Sequence, residues 1–86
     1  MKKTEIESFL INLVRYKVYI GLQESVSLNS TIKELELDSL DYAEILAELE
    51  DEYGIFISED ELEDIKTLSD FVKVVEEVYN RDYGVL

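Results

Sequence analysis

The most regular pattern in the chain lies in residues 38–54, which read DSLDYAEILAELEDEYG. The apolar and aromatic side chains of this segment recur at helical intervals of three and four residues: Tyr42, Ile45, Leu46, Leu49 and Tyr53. Asp38 is a favourable N-cap residue, and Gly54 is the residue type that most often follows a helix. The pattern therefore predicts a helix that begins at Ser39 and ends at Gly54, with most of its carboxylates outside the apolar stripe.

Helical spacing also occurs on the N-terminal side of this segment. It predicts a first helix over residues 5–19, with Thr4 and Glu7 as a capping box and Gly21 as a stop. The inner stripe of this helix would be Ile6, Phe9, Leu10, Leu13 and Val14. In residues 22–37 the apolar residues do not recur at a regular interval, and Ser and Asn are frequent, which predicts a long polar loop. Three apolar side chains are expected to pin the loop to the core: Leu28, Ile32 and Leu35.

On the C-terminal side, Ser58 and Thr67 are each followed three residues later by an acidic residue, a capping-box pattern that predicts a short third helix and a longer fourth helix. The apolar side chains of the fourth helix, which would face the core, are Leu68, Phe71, Val72, Val75, Val78 and Tyr79. We therefore expect an all-α fold, a small four-helix bundle of three main helices and one short helix, with a long loop between helices one and two. The bundle would form a single domain over residues 1–80, followed by a frayed tail at residues 81–86. Its handedness stays open.

The charge of the chain is strongly unbalanced, because 21 Asp and Glu residues stand against 8 Lys and Arg residues and give a net charge of −13. Such a surface repels nucleic acids and anionic membranes and suits partners that present Lys and Arg. Neither Cys nor His occurs, which excludes disulfides, thiolate catalysis and the commonest zinc ligands. An EF-hand around Gly54 is also excluded, because Leu49 would stand where Asp is required. We expect no specific metal site.

The N-terminus carries two cations, Lys2 and Lys3, as a signal peptide does. Glu5 and Glu7 follow at once, however, and no apolar run of signal length comes after them. We therefore expect a cytoplasmic protein that does not insert into membranes. We also expect a monomer.

Ser39 is the residue on which the functional prediction rests. A serine nucleophile needs a base, but the chain has no His and no Lys or Arg between Glu36 and Ile65. We therefore predict no catalytic residue and expect Ser39 to be modified by another enzyme. A phosphate linked at Ser39 would be favoured by the N–H groups of the first helical turn and by the positive end of the helix dipole.

The segment around Ser39 resembles a known motif. Residues 35–41, LELDSLD, are similar to the phosphopantetheine attachment motif of acyl carrier proteins, and the similarity continues through EYGI at residues 52–55 and KTL at residues 66–68. The tripeptide Asp-Ser-Leu is a weak signal alone, but the match over residues 31–75 is specific. The resemblance implies that a phosphopantetheinyl transferase attaches the 4'-phosphopantetheine of coenzyme A to Ser39, between Asp38 and Leu40. The thiol of this arm would carry an acyl group as a thioester.

The resemblance also implies two surfaces. One is an acidic surface for docking on the basic surfaces of acyl-loading and acyl-processing enzymes, formed by Asp41, Glu44, Glu48, Glu50 and Asp51. The composition supports it independently, since residues 36–64 hold thirteen carboxylates and no cation, and grouped charges of one sign raise association rates. The other is a candidate acyl pocket, although residues of this kind more often form plain core: Leu46, Leu49, Ile57, Leu62, Ile65, Leu68 and Phe71.

The chain departs from the family pattern at several positions, including Glu36 where Gly is common. Thr31 stands where an aromatic residue is frequent, Phe56 where a charged residue is usual, and Ser58 where Pro is frequent. Leu62 and Phe71 stand where many fatty-acid carriers have small residues. The larger side chains predict a cargo that is short, polar or held outside the bundle. The resulting prediction is a carrier that delivers acyl intermediates to enzymes of lipid or secondary-metabolite synthesis. Two alternatives stay open, an aminoacyl or D-alanyl carrier and an acidic helical adaptor without a prosthetic group.

Overall fold

The protein is all-α, as the sequence predicts. The structure, a computed structural model, describes residues 3–18 and 20–84. Within those ranges the helices are α1 (Lys3–Arg15), α2 (Ile20–Gln23), α3 (Ile32–Leu35), α4 (Ser39–Tyr53) and α5 (Leu68–Tyr83), with a 3₁₀ helix at Glu59–Leu62 between the last two. The three long helices and the 3₁₀ helix are the four that the sequence predicts, and α2 and α3 are additional single turns.

The three long helices bury their apolar stripes in one core. Ile6, Leu10 and Val14 of α1 recur every four residues and are essentially inaccessible to solvent. α1 packs most extensively against α5 and also contacts α4, where the rings of Phe9 and Tyr53 meet edge to face with their centroids 5.3 Å apart. The stripes predicted for the three helices therefore form the core that positions the start of α4.

The first helix differs from its predicted bounds at both ends. It begins at Lys3, so Thr4 lies inside it and is not the N-cap residue. It ends at Arg15, and the N–H groups of Lys17 and Val18 both donate to the carbonyl of Val14 in a closing turn. This turn brings the β-branched side chain of Val18 into the core, where it is buried. Gly21 consequently lies in the separate helix α2, and Tyr19 lies outside the described residues.

The segment predicted as a polar loop contains a capped helix. Thr31 accepts a hydrogen bond from the N–H of Glu34, whose carboxylate accepts one from the N–H of Thr31, so a Thr-x-x-Glu capping box begins α3. Three backbone hydrogen bonds join this segment to residues 66–69, which lie just before and at the start of α5. One of them, of 2.8 Å, runs from the Ile32 N–H to the Lys66 carbonyl. Of the three predicted anchors, Leu35 is buried, and Leu28 and Ile32 are partly buried. The segment is therefore anchored along its length.

The bounds of α4 agree with the sequence prediction, and those of α5 agree at its start. Asp38 caps α4, Gly54 ends it in the left-handed conformation (φ 64°), and Thr67 with Asp70 forms the capping box of α5. Residues 81–83, the first three of the segment predicted as a frayed tail, belong to the last turn of α5. The phenol of Tyr83 in that turn donates a hydrogen bond to the carbonyl of Gly54, which connects the end of α5 to the end of α4.

Candidate functional site

Ser39 is the first residue of α4 and is exposed. The helix start around it is defined by a reciprocal capping box, in which the Asp38 carboxylate accepts from the Asp41 N–H (2.8 Å) and the Asp41 carboxylate accepts from the Asp38 N–H (3.2 Å). Within the described residues no hydrogen bond occupies the Ser39 hydroxyl. Ser39 is thus held at a helix start by its neighbours, while its own hydroxyl is presented to solvent.

An open apolar groove of about 450 Å³ begins beside Ser39. Its walls come from α3, the residues leading into α4, the first turns of α4 and the segment around the 3₁₀ helix: Ile32, Leu37, Tyr42, Leu46, Leu62 and Ile65. Each of these side chains is partly buried. Two exposed carboxylates, Glu59 and Glu63, complete the lining. A group attached to Ser39 could therefore lie against apolar side chains without entering the core.

The residues predicted as an acyl pocket divide between this groove and the core. Leu46, Leu62 and Ile65 line the groove. Leu49, Leu68 and Phe71 are fully buried, and Ile57 is only 5% exposed. The structure thus does not bring all seven around one cavity. It also adds Ile32, Leu37 and Tyr42, which the predicted pocket did not include. Ile32 was missed because α3 was taken for loop.

Tyr42 lies where the groove meets the core. Its ring is half-buried, and this burial raises the pKa of the phenol above its ordinary value of 10.0. The hydroxyl is protonated at neutral pH, as an ordinary phenol is, so Tyr42 can act in the groove as a neutral hydrogen-bond donor.

The predicted docking carboxylates lie on two sides of α4. Asp41, Glu44, Glu48 and Asp51 follow one another at intervals of three and four residues and share one side, here named the acidic face. Glu50 is one residue from Asp51 and therefore lies about 100° around the helix from it. Glu44, Glu48, Glu50 and Asp51 are exposed, and Asp41 is partly exposed because its carboxylate takes part in the cap.

The acidic face carries a cation that the sequence prediction missed. The Lys17 ammonium donates to the carboxylate of Glu44 and forms a salt bridge with it. This hydrogen bond raises the pKa of Lys17 above 10.5, and the nearby charges of Glu44, Asp41 and Glu48 add to the effect against a partly opposing desolvation. The two residues are 27 positions apart, so no local sequence pattern indicates their contact.

Neither a metal cluster nor a membrane span occurs among residues 3–18 and 20–84. No three of their Asp or Glu side chains are grouped so as to hold a metal ion. None of their helices combines the length and apolar character that a membrane span requires.

The chain is similar to known proteins over most of its length. A sequence model of the family described as "Phosphopantetheine attachment site" matches residues 9–75. The chain is also 34% identical over 80 residues to acyl carrier protein 1, chloroplastic, of Spinacia oleracea, covering 93% of this chain and 57% of that protein. It is 37% identical over 73 residues to the acyl carrier proteins of Rickettsia massiliae and Rickettsia typhi, covering 85% of each chain. This chain belongs to the acyl carrier protein family.

Members of the acyl carrier protein family hold 4'-phosphopantetheine covalently, so the chain carries this prosthetic group. The residues around Ser39 fit such a group. The hydroxyl is exposed, the first-turn N–H groups of α4 favour a linked phosphate, and the groove offers an apolar surface beside it. The Asp41 N–H donates to the Asp38 carboxylate, so the N–H groups of Ser39 and Leu40 are the first-turn donors that would hold such a phosphate.

Proposed function

We propose that Ser39 is the attachment residue and that this acyl carrier protein presents acyl intermediates to the enzymes of lipid or secondary-metabolite synthesis. The observation that carries the proposal is the exposed Ser39 hydroxyl at the mouth of an apolar groove. When attached, the arm supplies a terminal thiol on which an acyl group is held as a thioester, which is chemistry that a Cys-free chain lacks. The chain itself acts as a carrier and not as an enzyme.

Different residues around Ser39 contribute in different ways to recognition by the partner enzymes. Asp38 and Asp41 hold the start of α4 through their capping box, which keeps the serine in one orientation for the transferase. Leu40, the next residue, exposes 66% of its surface and offers an apolar contact at the centre of a docking site. The acidic face and Glu50 attract basic enzymes and speed the encounter.

The groove also supports a second candidate cargo. Glu59 and Glu63 bring two carboxylates to a lining that is otherwise mostly apolar. A cargo with a cationic amino group, such as an aminoacyl or D-alanyl group, would complement those charges, whereas a plain fatty acyl chain would contact only the apolar part. An adaptor without a prosthetic group is disfavoured by the family to which the chain belongs.

Attachment is tested by incubating the protein with coenzyme A and a broad-specificity phosphopantetheinyl transferase and then measuring its intact mass. We expect the native chain to gain one phosphopantetheine and the Ser39→Ala variant to gain none. Ser8→Ala, which removes another exposed hydroxyl on α1, is the matched control and should be modified like the native chain. Modification of Ser39→Ala, or none on the native chain, would refute the proposal.

A further inference from the structure

Lys17 lies two residues beyond the end of α1 and contacts α4 in the middle of the acidic face. The Lys17 side chain is 20% exposed, against 49% for its partner Glu44, so Lys17 has the more enclosed side chain of the pair. Among the described residues this is the one salt bridge that involves a carboxylate of α4. Glu48, Glu50 and Asp51 therefore offer their charge to solvent, while Glu44 already has a cation.

We propose that Lys17 is an intramolecular competitor for the acidic face: it occupies Glu44, so that a basic partner docks through Glu48 and Asp51 or must displace Lys17 to reach Glu44. The inference rests on the proposed function, because the partner is an enzyme with Lys or Arg on its docking surface. Lys17 would thus be a specificity-determining residue that moderates the attraction exerted by a chain of net charge −13.

The arrangement fits competition better than a role in stability. Ion pairs at exposed positions contribute little to folding, since solvent screens them and two long side chains must be ordered. The same pair has a larger effect on binding. A partner's cation that approaches Glu44 must replace an existing hydrogen bond and is repelled by the Lys17 charge at the same time.

The test is a double-mutant cycle in the phosphopantetheinylation of Ser39. The rate constant kcat/KM of a broad-specificity phosphopantetheinyl transferase is measured at low ionic strength for the native chain, Lys17→Gln, Glu44→Gln and the double variant. We expect Lys17→Gln to raise kcat/KM about two- to fivefold, mainly through KM. Glu44→Gln should lower kcat/KM more in the Lys17→Gln background than in the native chain. High salt should remove these differences.

Two controls separate competition from a change in net charge. Lys73→Gln removes an equal charge from an exposed position on α5 and should raise kcat/KM less than Lys17→Gln does. Lys17→Arg keeps the salt bridge and should behave like the native chain. Circular dichroism confirms that each variant is folded.

The inference is overturned if Lys17→Gln and Lys73→Gln have the same effect, or if the effects of Lys17→Gln and Glu44→Gln are additive. Either result would mean that Lys17 acts only as one charge among others. Failure of the native chain to accept phosphopantetheine would instead refute the proposed function, and the inference with it, so the two failures are distinguishable.

Discussion

Glu36 adopts a backbone conformation that normally requires glycine. Its φ of 52° and ψ of 39° are left-handed, and it lies at the C-cap of α3, two residues before the cap of α4. An L-residue loses about 1–2 kcal/mol in this conformation. The physical reason that Gly is common at this position is therefore visible here, because the chain must reverse between two helices just before Ser39.

Replacing Glu36 by Gly should consequently stabilise the protein. After subtracting the greater flexibility of Gly in the unfolded chain, we expect the free energy of unfolding to rise by about 0.5–1 kcal/mol. Urea unfolding followed by circular dichroism measures this change. Lys33→Gly, inside α3 and equally exposed, is the control and should destabilise instead. A less stable Glu36→Gly variant would show that the left-handed residue is not strained.

Among the helix caps that the structure describes, that of α5 has the most hydrogen bonds. The Asp70 carboxylate accepts from the N–H groups of Lys66 (2.9 Å) and Thr67 (3.1 Å), and the Asp70 N–H donates to the Thr67 hydroxyl. The two backbone hydrogen bonds lower the pKa of Asp70 below 3.8, with a further contribution from the charge of Lys73. A lowered pKa in the folded state means that the ionised carboxylate stabilises the fold.

The sign of the pH dependence follows from this lowered pKa. The stabilisation by Asp70 is fully present above the unfolded-state pKa near 3.8 and is lost as the pH falls through the lower folded-state value. We therefore expect Asp70→Asn to lower the urea midpoint at pH 7, with the difference from the native chain closing below pH 3.8. Asp64→Asn, which removes an equal charge at an exposed position before α5, is the control and should not lower the urea midpoint at pH 7. A constant difference between native and Asp70→Asn chains down to acidic pH would contradict this account.

How far the sequence predicted the fold depended on how local each signal is. The bounds of α4 and the start of α5 follow from capping residues and Gly54, which act within one turn. The predicted end of α1 was wrong because the turn that closes the helix depends on the burial of Val18, which is a tertiary contact. α3 could have been found, since Thr31 and Glu34 form the same capping-box pattern that was recognised at Thr67 and Asp70.

In the candidate site, too, features on one helix were predictable and features that combine distant segments were not. Ser39 at the start of α4 and the acidic side chains on α4 lie on a single helix, so their placement follows from helical spacing. The groove combines four segments of the chain, and its lining could be only half predicted from residues read one segment at a time. The pairing of Lys17 with Glu44 joins the turn after α1 to α4 and depends on how α1 and α4 pack.

Taken as a whole, the molecule offers an attached cargo two environments with different costs. The interior is closed, because Leu49, Leu68 and Phe71 are fully buried and belong to the same core as α1. Parting the helices would expose these side chains, and each loses about 1.5–3 kcal/mol when it leaves the core. The groove beside Ser39 provides apolar contact without that loss. A cargo of short or medium length is therefore expected to stay in the groove.

NMR spectra of the protein loaded with a medium-length acyl group would locate the cargo, with the phosphopantetheinylated but unloaded protein as reference. We expect chemical-shift changes at Leu37, Leu46 and Leu62 in the groove, and little change at Leu49 and Phe71 in the core. An aminoacyl cargo of matched length should also shift Glu59 and Glu63, which a neutral acyl group contacts less. Large shifts at Leu49 and Phe71 would contradict this expectation, because they would mean that the helices part to admit the chain.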